Sequence, residues 1–271
     1  MTVKNFLNFI FQPKSYITKV IETRLHNRMV YHHYFSIDDT KEQDVFLAGY
    51  PKSGNTWLQN IITGLILNMD TNNLSDLLSQ TIVPDVHNSK FYQRFYKTMY
   101  FKTHHLPLPN YQKVIHLVRD GRDVLWSYYQ MHLNMNKLIT LQEIVIKDKG
   151  LFPCSWQEHT RAWLDNPYEA KILRIRYELL LNDPLSELKK ICEFVELERT
   201  EKDLRIIMEG NSFQQMKKKE EIFGKYNVHF NPKGNFLRKG ITGNYKSGFS
   251  PELLEKFQEL AGEELIELNY L

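Results

Sequence analysis

A chain of 271 residues with 42% hydrophobic and 25% charged side chains reads as a globular protein with a core of ordinary size. The formal net charge of +3, from 35 basic and 32 acidic residues, gives no support for a nucleic-acid partner, so any cationic site must be local. Two cysteines, Cys154 and Cys192, exclude a disulfide framework and lack metal-ligand spacing, which suits a reducing compartment such as the cytoplasm.

Along the chain, the apolar patch at residues 6–11 is too short to span a bilayer and is expected to pack on the domain. Short apolar runs predict strands at 44–50 (DVFLAGY), 97–103 (KTMYFKT), 113–119 (KVIHLVR) and 171–177 (KILRIRY). Helical periodicity follows the first at 57–69 and the third at 123–136. After the fourth, Asp183-Pro184 opens a helix to 195, and Ser250 caps a last one over 251–268. This alternation predicts an α/β fold with a central parallel sheet flanked by helices, its ligand beyond the carboxyl ends of the strands. No repeat, low-complexity tract or flexible linker divides the chain, so residues 1–271 read as a single domain. Residues 217–249 are polar, dotted with glycine and weakly periodic, as functional or irregular segments are.

Between the first strand and its helix lies 50-YPKSGNTW-57, which with Gly49 nearly fits the phosphate loop G-x-x-x-x-G-K-[ST]. Backbone N–H groups of Ser53, Gly54, Asn55 and Thr56 can converge on an anion there, Lys52 adds a mobile charge, and Trp57 can stack on a base. Asn55 stands where the lysine of a nucleoside-triphosphate site belongs, and the lysine has moved to 52. A kinase-like phosphotransferase using Mg-ATP is the alternative; it needs an aspartate on a neighbouring strand end, which Asp120 could imitate. Arg119 beside it suits an anion better than a metal.

The motifs, taken together, resemble the cytosolic-type sulfotransferases that use 3′-phosphoadenylyl sulfate (PAPS), and more the bacterial small-molecule branch. The matches are 50-YPKSGNTW-57, 119-RDGRDVLWSYY-129 and 238-RKGITGNYK-246, with 102-KTH-104, 177-YE-178 and 212-SFQQM-216 between them, in family order. The resemblance implies that Lys52, Ser53, Gly54, Asn55, Thr56 and Trp57 hold the 5′ end of the donor. Arg119, Ser127, Arg238, Lys239 and Gly240 would hold its 3′-phosphate. Trp57 and Phe213 would flank the adenine with Met216 and Phe236 near it, Ser212 opening that motif and Tyr177 bonding the base.

The reaction so implied moves a sulfuryl group in line to a hydroxyl or amine and releases adenosine 3′,5′-bisphosphate (PAP), with no metal. His104 would be the base, Lys52 would stabilise the leaving group, Lys102 the transferring oxygens, and Ser127 would restrain Lys52. The chain reads 102-KTHHLP-107, one residue longer than the family's K-T-H-L-P. Neighbours on a strand face opposite ways, so only one of His104 and His105 can face the site, and spacing from Lys102 favours His104. His87, His116, His132, His159 and His229 receive no role.

The family's dimer motif aligns with Lys246, Ser250, Pro251 and Glu255, where proline replaces valine, so a monomer or weak homodimer is expected. Segments 81–97, 147–155 and 217–235 should form the acceptor pocket, with aromatics (Phe91, Tyr92, Phe95, Phe152, Phe223, Tyr226, Phe230) and acids (Asp85, Glu220, Glu221). Aromatics suit a planar ring and acids a cationic acceptor, for which resemblance suggests a guanidinium alkaloid.

Overall fold

The computed structural model describes residues 23–24, 28, 31–223 and 240–271. Strands β1 (Tyr34–Ser36) and β3 (Phe91–Gln93) form a small antiparallel pair. The main sheet is β2 (Val45–Gly49), β4 (Tyr100–Thr103), β5 (Lys113–Val118) and β6 (Lys171–Arg176), all parallel in the order β4-β2-β5-β6. All four expected strands are present, each a little shorter than its apolar run.

Alternate side chains go to opposite faces. Val45 and Leu47 join a cluster with Leu58, Ile61, Ile62 and Leu188, while Phe46 and Ala48 pack with Phe101, Val114 and Trp163. Burial on both faces is why β2 reads as an unbroken apolar run, and β5 as one broken only by His116 after Lys113.

The helices are α1 (Asn55–Leu67), α2 (Asp76–Ile82), α3 (Gly121–Asn134), α4 (Leu141–Lys147), α5 (Trp156–Asp165), α6 (Tyr177–Asn182), α7 (Pro184–Val195), α8 (Glu201–Gly210), α9 (Phe213–Phe223) and α10 (Pro251–Glu267). The four expected helices correspond to α1, α3, α7 and α10, within about two residues at each end. Pro251 occupies the first turn of α10 behind the Ser250 cap, whose Oγ accepts the N–H of Leu253. Of the helices outside the expected set, α2 and α4 have only seven residues each, whereas α5 and α8 have ten and a clear apolar face. The capping chemistry of α4, α5 and α8 is written in the chain, as Thr140 with Glu143, Ser155 with Glu158 and Thr200 with Asp203. The segment read as irregular from 217 is partly ordered: α9 runs to Phe223 and a 3-10 turn spans Asn244–Ser247, while 224–239 lie outside the described residues.

From β2 the chain crosses to β4 on one side and then to β5 on the other. That reversal opens a crevice at the carboxyl ends of β2 and β5, and the loop 50–54, His104 and Arg119 all leave strand ends there.

The small sheet is fastened to the large one by a buried ion pair. Arg94 donates both terminal nitrogens to Asp44, at 2.9 and 2.6 Å, and Asp44 also accepts the N–H of Met99 at the start of β4. The Asp44 side chain is fully buried. Arg94→Ala should therefore leave an uncompensated carboxylate in the interior and cost about 3 kcal/mol, read as a lower midpoint of urea unfolding.

Candidate active site

The loop after β2 is shaped by backbone before any ligand is considered. Gly54 (φ 102°) and Lys52 (φ 73°) both adopt left-handed conformations, which turn the chain sharply into α1. A Cβ at Gly54 would lie 2.8 Å from the ring of Tyr177, so closeness as well as φ demands glycine. Asn55, the residue that breaks the triphosphate motif, is a strut. Its Nδ2 donates to the carbonyl of Tyr50 at 2.8 Å across the loop, and its Oδ1 fills the space a Cβ on Gly49 would occupy. Ser53 is buried with its Oγ unpartnered, at the N-terminus of a helix of 13 residues. The N-terminus of α1 carries the positive end of the helix dipole, and Lys52 stands beside it.

Arg119 leaves the end of β5 and lies over the Tyr177 ring at 4.2 Å. It donates to the carbonyls of Lys52 and Ile241, and its Nε is buried without a partner. Asp123, one helical turn on, stands 3.8 Å from Arg119 and accepts the N–H groups of Gly243 and Tyr245. It thus moors the segment that begins at Gly240 against the phosphate loop. Asp120, the candidate magnesium ligand, is taken: Arg122 closes on both its oxygens at 2.9 and 2.8 Å.

Beyond the loop, Trp57 donates to the carbonyl of Asn211 at 2.7 Å and meets Tyr177 edge-on. Phe213 and Met216, from α9, line the same cavity, with Gly240 packed on the Phe213 ring. A buried lysine holds α9 in place. Lys219 donates to Asn60 of α1 and lies 3.7 Å from Asp76 of α2; burial pulls its pKa down, and Asp76 opposes the shift.

At the other end stands the K-T-H segment. Lys102 is buried and bonded to Asp85 at 2.8 Å. Burial works to raise the Asp85 pKa, but the Lys102 charge and its hydrogen bond override it and hold the carboxyl below its usual range. His104 Nδ1 is 2.7 Å from the carbonyl of Gly49. A carbonyl only accepts, so Nδ1 carries the proton and Nε2 keeps its lone pair. Burial, reinforced by Lys102, lowers the His104 pKa to about 3, so the ring is neutral. His105 turns away to Tyr111, its Nδ1 at 3.0 Å from the phenol oxygen, and does not line the cavity.

One cavity of about 540 Å³ joins these pieces. Of the expected residues it is lined by Lys52, Gly54, Asn55, Thr56, Trp57, Lys102, His104, Arg119, Ser127, Tyr177, Phe213, Met216 and Gly240. Ser53 is buried behind the loop, and Ser212 sits at the head of α9 without lining the cavity. Phe236, Arg238 and Lys239, with Tyr226, Phe230 and His229, lie outside the described residues. Each segment expected at the acceptor pocket contributes: Asp85, His87 and Asn88 from the first, Gly150 and Phe152 from the second, and Glu220 from the third. Several aromatics expected there do not line the cavity. Tyr92 is core, its hydroxyl donating to the carbonyl of Asp39, while Phe95 and Phe223 are exposed.

His87 and His132, given no role in the sequence, both line the cavity, with Met131 and Met135 beside them. His132 stands on α3 with Nε2 at 3.2 Å from the Gly150 carbonyl. No motif marks either residue, and only the topology brings them in. Among the described residues, no group of three His, Cys, Asp or Glu side chains is arranged to hold a metal ion, and no helix is long and apolar enough to cross a membrane.

Residues 42–269 match the family model described as a sulfotransferase domain. The chain is similar to sulfotransferase 2A6 of Rattus norvegicus, 30% identical over 83% of this chain and 85% of the rat protein. It is also similar to a 3-alpha-hydroxysteroid sulfotransferase of Cavia porcellus, 28% identical over 83% of this chain and 84% of that one. Among solved structures, mouse sulfotransferase SULT7A1 complexed with PAP shares the fold, with a TM-score of 0.61, 23% identity and coverage of 84% and 86% of the two chains.

Three histidines, His87 and His104 on the cavity wall and His159 in the interior, make stability depend on pH with a definite sign. Burial lowers the pKa of His87 to about 4, of His104 to about 3 and of His159 to about 4, from an ordinary value of 6.5. Between those values the unfolded chain binds more protons than the folded one, so stability is lost as pH falls below about 6.5. The melting temperature should decline between about pH 7 and 5, before most carboxylates titrate. His159→Phe should flatten part of that slope, because both ring nitrogens of His159 are buried without partners.

Proposed function

We propose, because the chain belongs to the sulfotransferase family, that it transfers the sulfuryl group of PAPS to a hydroxyl or amine of a small molecule and releases PAP. The observation that carries this reading is a single cavity with a phosphate-binding helix end and Arg119 on one side and the free Nε2 of a neutral histidine on the other. PAPS would supply an activated sulfuryl group with a bisphosphate as leaving group. The residues present fit it, since Arg119 lines the cavity with its Nε unpartnered and its charge only partly compensated, beside the N-terminus of α1. Ser53, Gly54, Asn55 and Thr56 would hold its 5′ end. Arg119 and Ser127, with Arg238, Lys239 and Gly240, would hold its 3′-phosphate. Trp57, Tyr177, Phe213, Met216, Phe236 and Ser212 would form its adenine slot.

In this reading His104 Nε2 takes the proton of the acceptor, and Gly49 stabilises the imidazolium that results by accepting from Nδ1. Lys52 would neutralise charge on the leaving group, with Ser127 to restrain it in the absence of acceptor, and Lys102 would stabilise the transferring oxygens. The acceptor chamber has Met131, Met135, Tyr128 and Phe152 as walls, with neutral His87 and His132 between them. Its aspartates are already matched, Asp85 by Lys102 and Asp76 by Lys219. A guanidinium alkaloid would compete with those lysines, so a neutral, largely apolar hydroxyl compound fits better, and a 3-hydroxysteroid is a suitable first probe. We further propose one domain over residues 1–271, acting in the cytoplasm as a monomer or weak homodimer, without metal or nucleic acid. A kinase-like use of Mg-ATP is not favoured, since Asp120 is engaged by Arg122.

Thermal unfolding with PAPS, PAP, ATP and Mg-ATP tests the donor. At a hundredfold excess over Kd, PAP should stabilise the fold by about 2.7 kcal/mol. A shift with Mg-ATP alone would overturn the reading. His104→Gln should keep the PAP shift while turnover of the steroid probe drops by about 10²–10⁴-fold.

A further inference from the structure

We propose that His87 is a positioning residue for His104, and that the turn 84–87 is a clamp setting both ends of the K-T-H segment. The inference rests on His104 being the base of the proposed transfer. Its starting point is the outer edge of β4. There the turn pairs with one residue of the strand: Lys102 N–H donates to the Pro84 carbonyl at 2.8 Å, and Val86 N–H donates to the Lys102 carbonyl at 3.0 Å. In a parallel ladder alternate residues of a strand bond to the same neighbour, so the next donor after Lys102 is His104. By then the turn has curled away, the N–H groups of Asn88 and Ser89 both bonding back to the Asp85 carbonyl. The His87 side chain takes the missing place, and its Nε2 accepts the His104 N–H at 2.8 Å.

The same ring also holds the His104 side chain. The two imidazoles stack at 5.3 Å and 15°, and His87 is in turn wedged edge-on by Phe152 and His105. With its backbone fixed by His87 and its Nδ1 fixed by Gly49, His104 is left one open nitrogen, Nε2. Asp85 completes the clamp, since it bonds Lys102 and accepts the His87 N–H at 2.9 Å. One short turn thereby holds the lysine and the histidine at a fixed spacing on the cavity wall.

Accepting the His104 N–H also fixes the proton on His87. A ring nitrogen that accepts a backbone N–H is bare, so neutral His87 carries its proton on Nδ1. Long-range ¹H–¹⁵N imidazole spectra of the full chain test this, with His87 and His104 assigned by difference from variants. Wild type should show both histidines as Nδ1–H tautomers; a proton on His87 Nε2 would overturn the proposal.

Two variants then separate positioning from bulk packing. His87→Gln places an amide atom where Nε2 stood and can still accept the His104 N–H. His87→Asn reaches only the Nδ1 position. Gln should preserve the single His104 tautomer. Asn should give a mixture, with kcat for the 3-hydroxysteroid probe down about a hundredfold, acceptor KM changed far less and the PAP thermal shift intact. A His104 tautomer in His87→Asn identical to wild type, or disturbed equally in both variants, would overturn it. Failure of the sulfotransferase reading shows separately, as wild-type protein that PAP does not stabilise.

Discussion

The bond from His104 Nδ1 to the carbonyl of Gly49 is the constraint to which the rest of the cavity is referred. The parallel ladder between β2 and β4 closes at Ala48 and Thr103, so the next residues, Gly49 and His104, stand side by side at the strand ends. The imidazole takes a carbonyl that a longer β4 would have used. Gly49 also lacks the Cβ that would strike Asn55 and the Leu117 carbonyl, which lets the phosphate loop fold back over the strand end. The proton-accepting end and the anion-binding end are therefore registered to one backbone residue, and neither can shift without the other.

Most carboxylates around the cavity are committed to building it. Asp123 bonds two N–H groups of the segment after Gly240, Asp120 holds Arg122, Asp85 holds Lys102, and Asp76 faces Lys219. Arg119 differs: its contacts are carbonyl oxygens, an aromatic face and an aspartate at the long distance of 3.8 Å. An anion entering beside the α1 N-terminus meets a cation whose charge is only partly compensated. The charge asymmetry of the cavity follows from how its acids are used, and the net charge of the chain carries little of it.

The strands of the sheet and the long helices were legible because burial on one or two faces writes a period into the chain. The phosphate loop was legible because its chemistry is contiguous: Lys52, Gly54 and Thr56 lie within one turn. The clamp was not. His87 is separated from His104 by both β3 and β4, and a histidine that accepts a backbone N–H leaves no pattern in its neighbours. The inserted histidine shows the converse. His104 and His105 differ by one place on an extended chain, and alternation alone separates the residue facing the cavity from the one bonded to Tyr111. Asn55 was legible as a departure from a motif, but its use as a strut required the loop geometry.

A base pulled down to about 3 looks too weak for its proposed task, and the cause of the depression resolves this. Burial and the nearby Lys102 charge both disfavour the imidazolium, and together they outweigh the opposing pull of the Gly49 carbonyl and Asp85. An anion seated at the α1 N-terminus would reverse the local field and raise the proton affinity of His104. The same burial that keeps the ring neutral also strengthens that field, because a buried group sits at a lower effective dielectric than water. On the proposed reading, the histidine would thus gain proton affinity when a sulfuryl donor is bound at the α1 N-terminus.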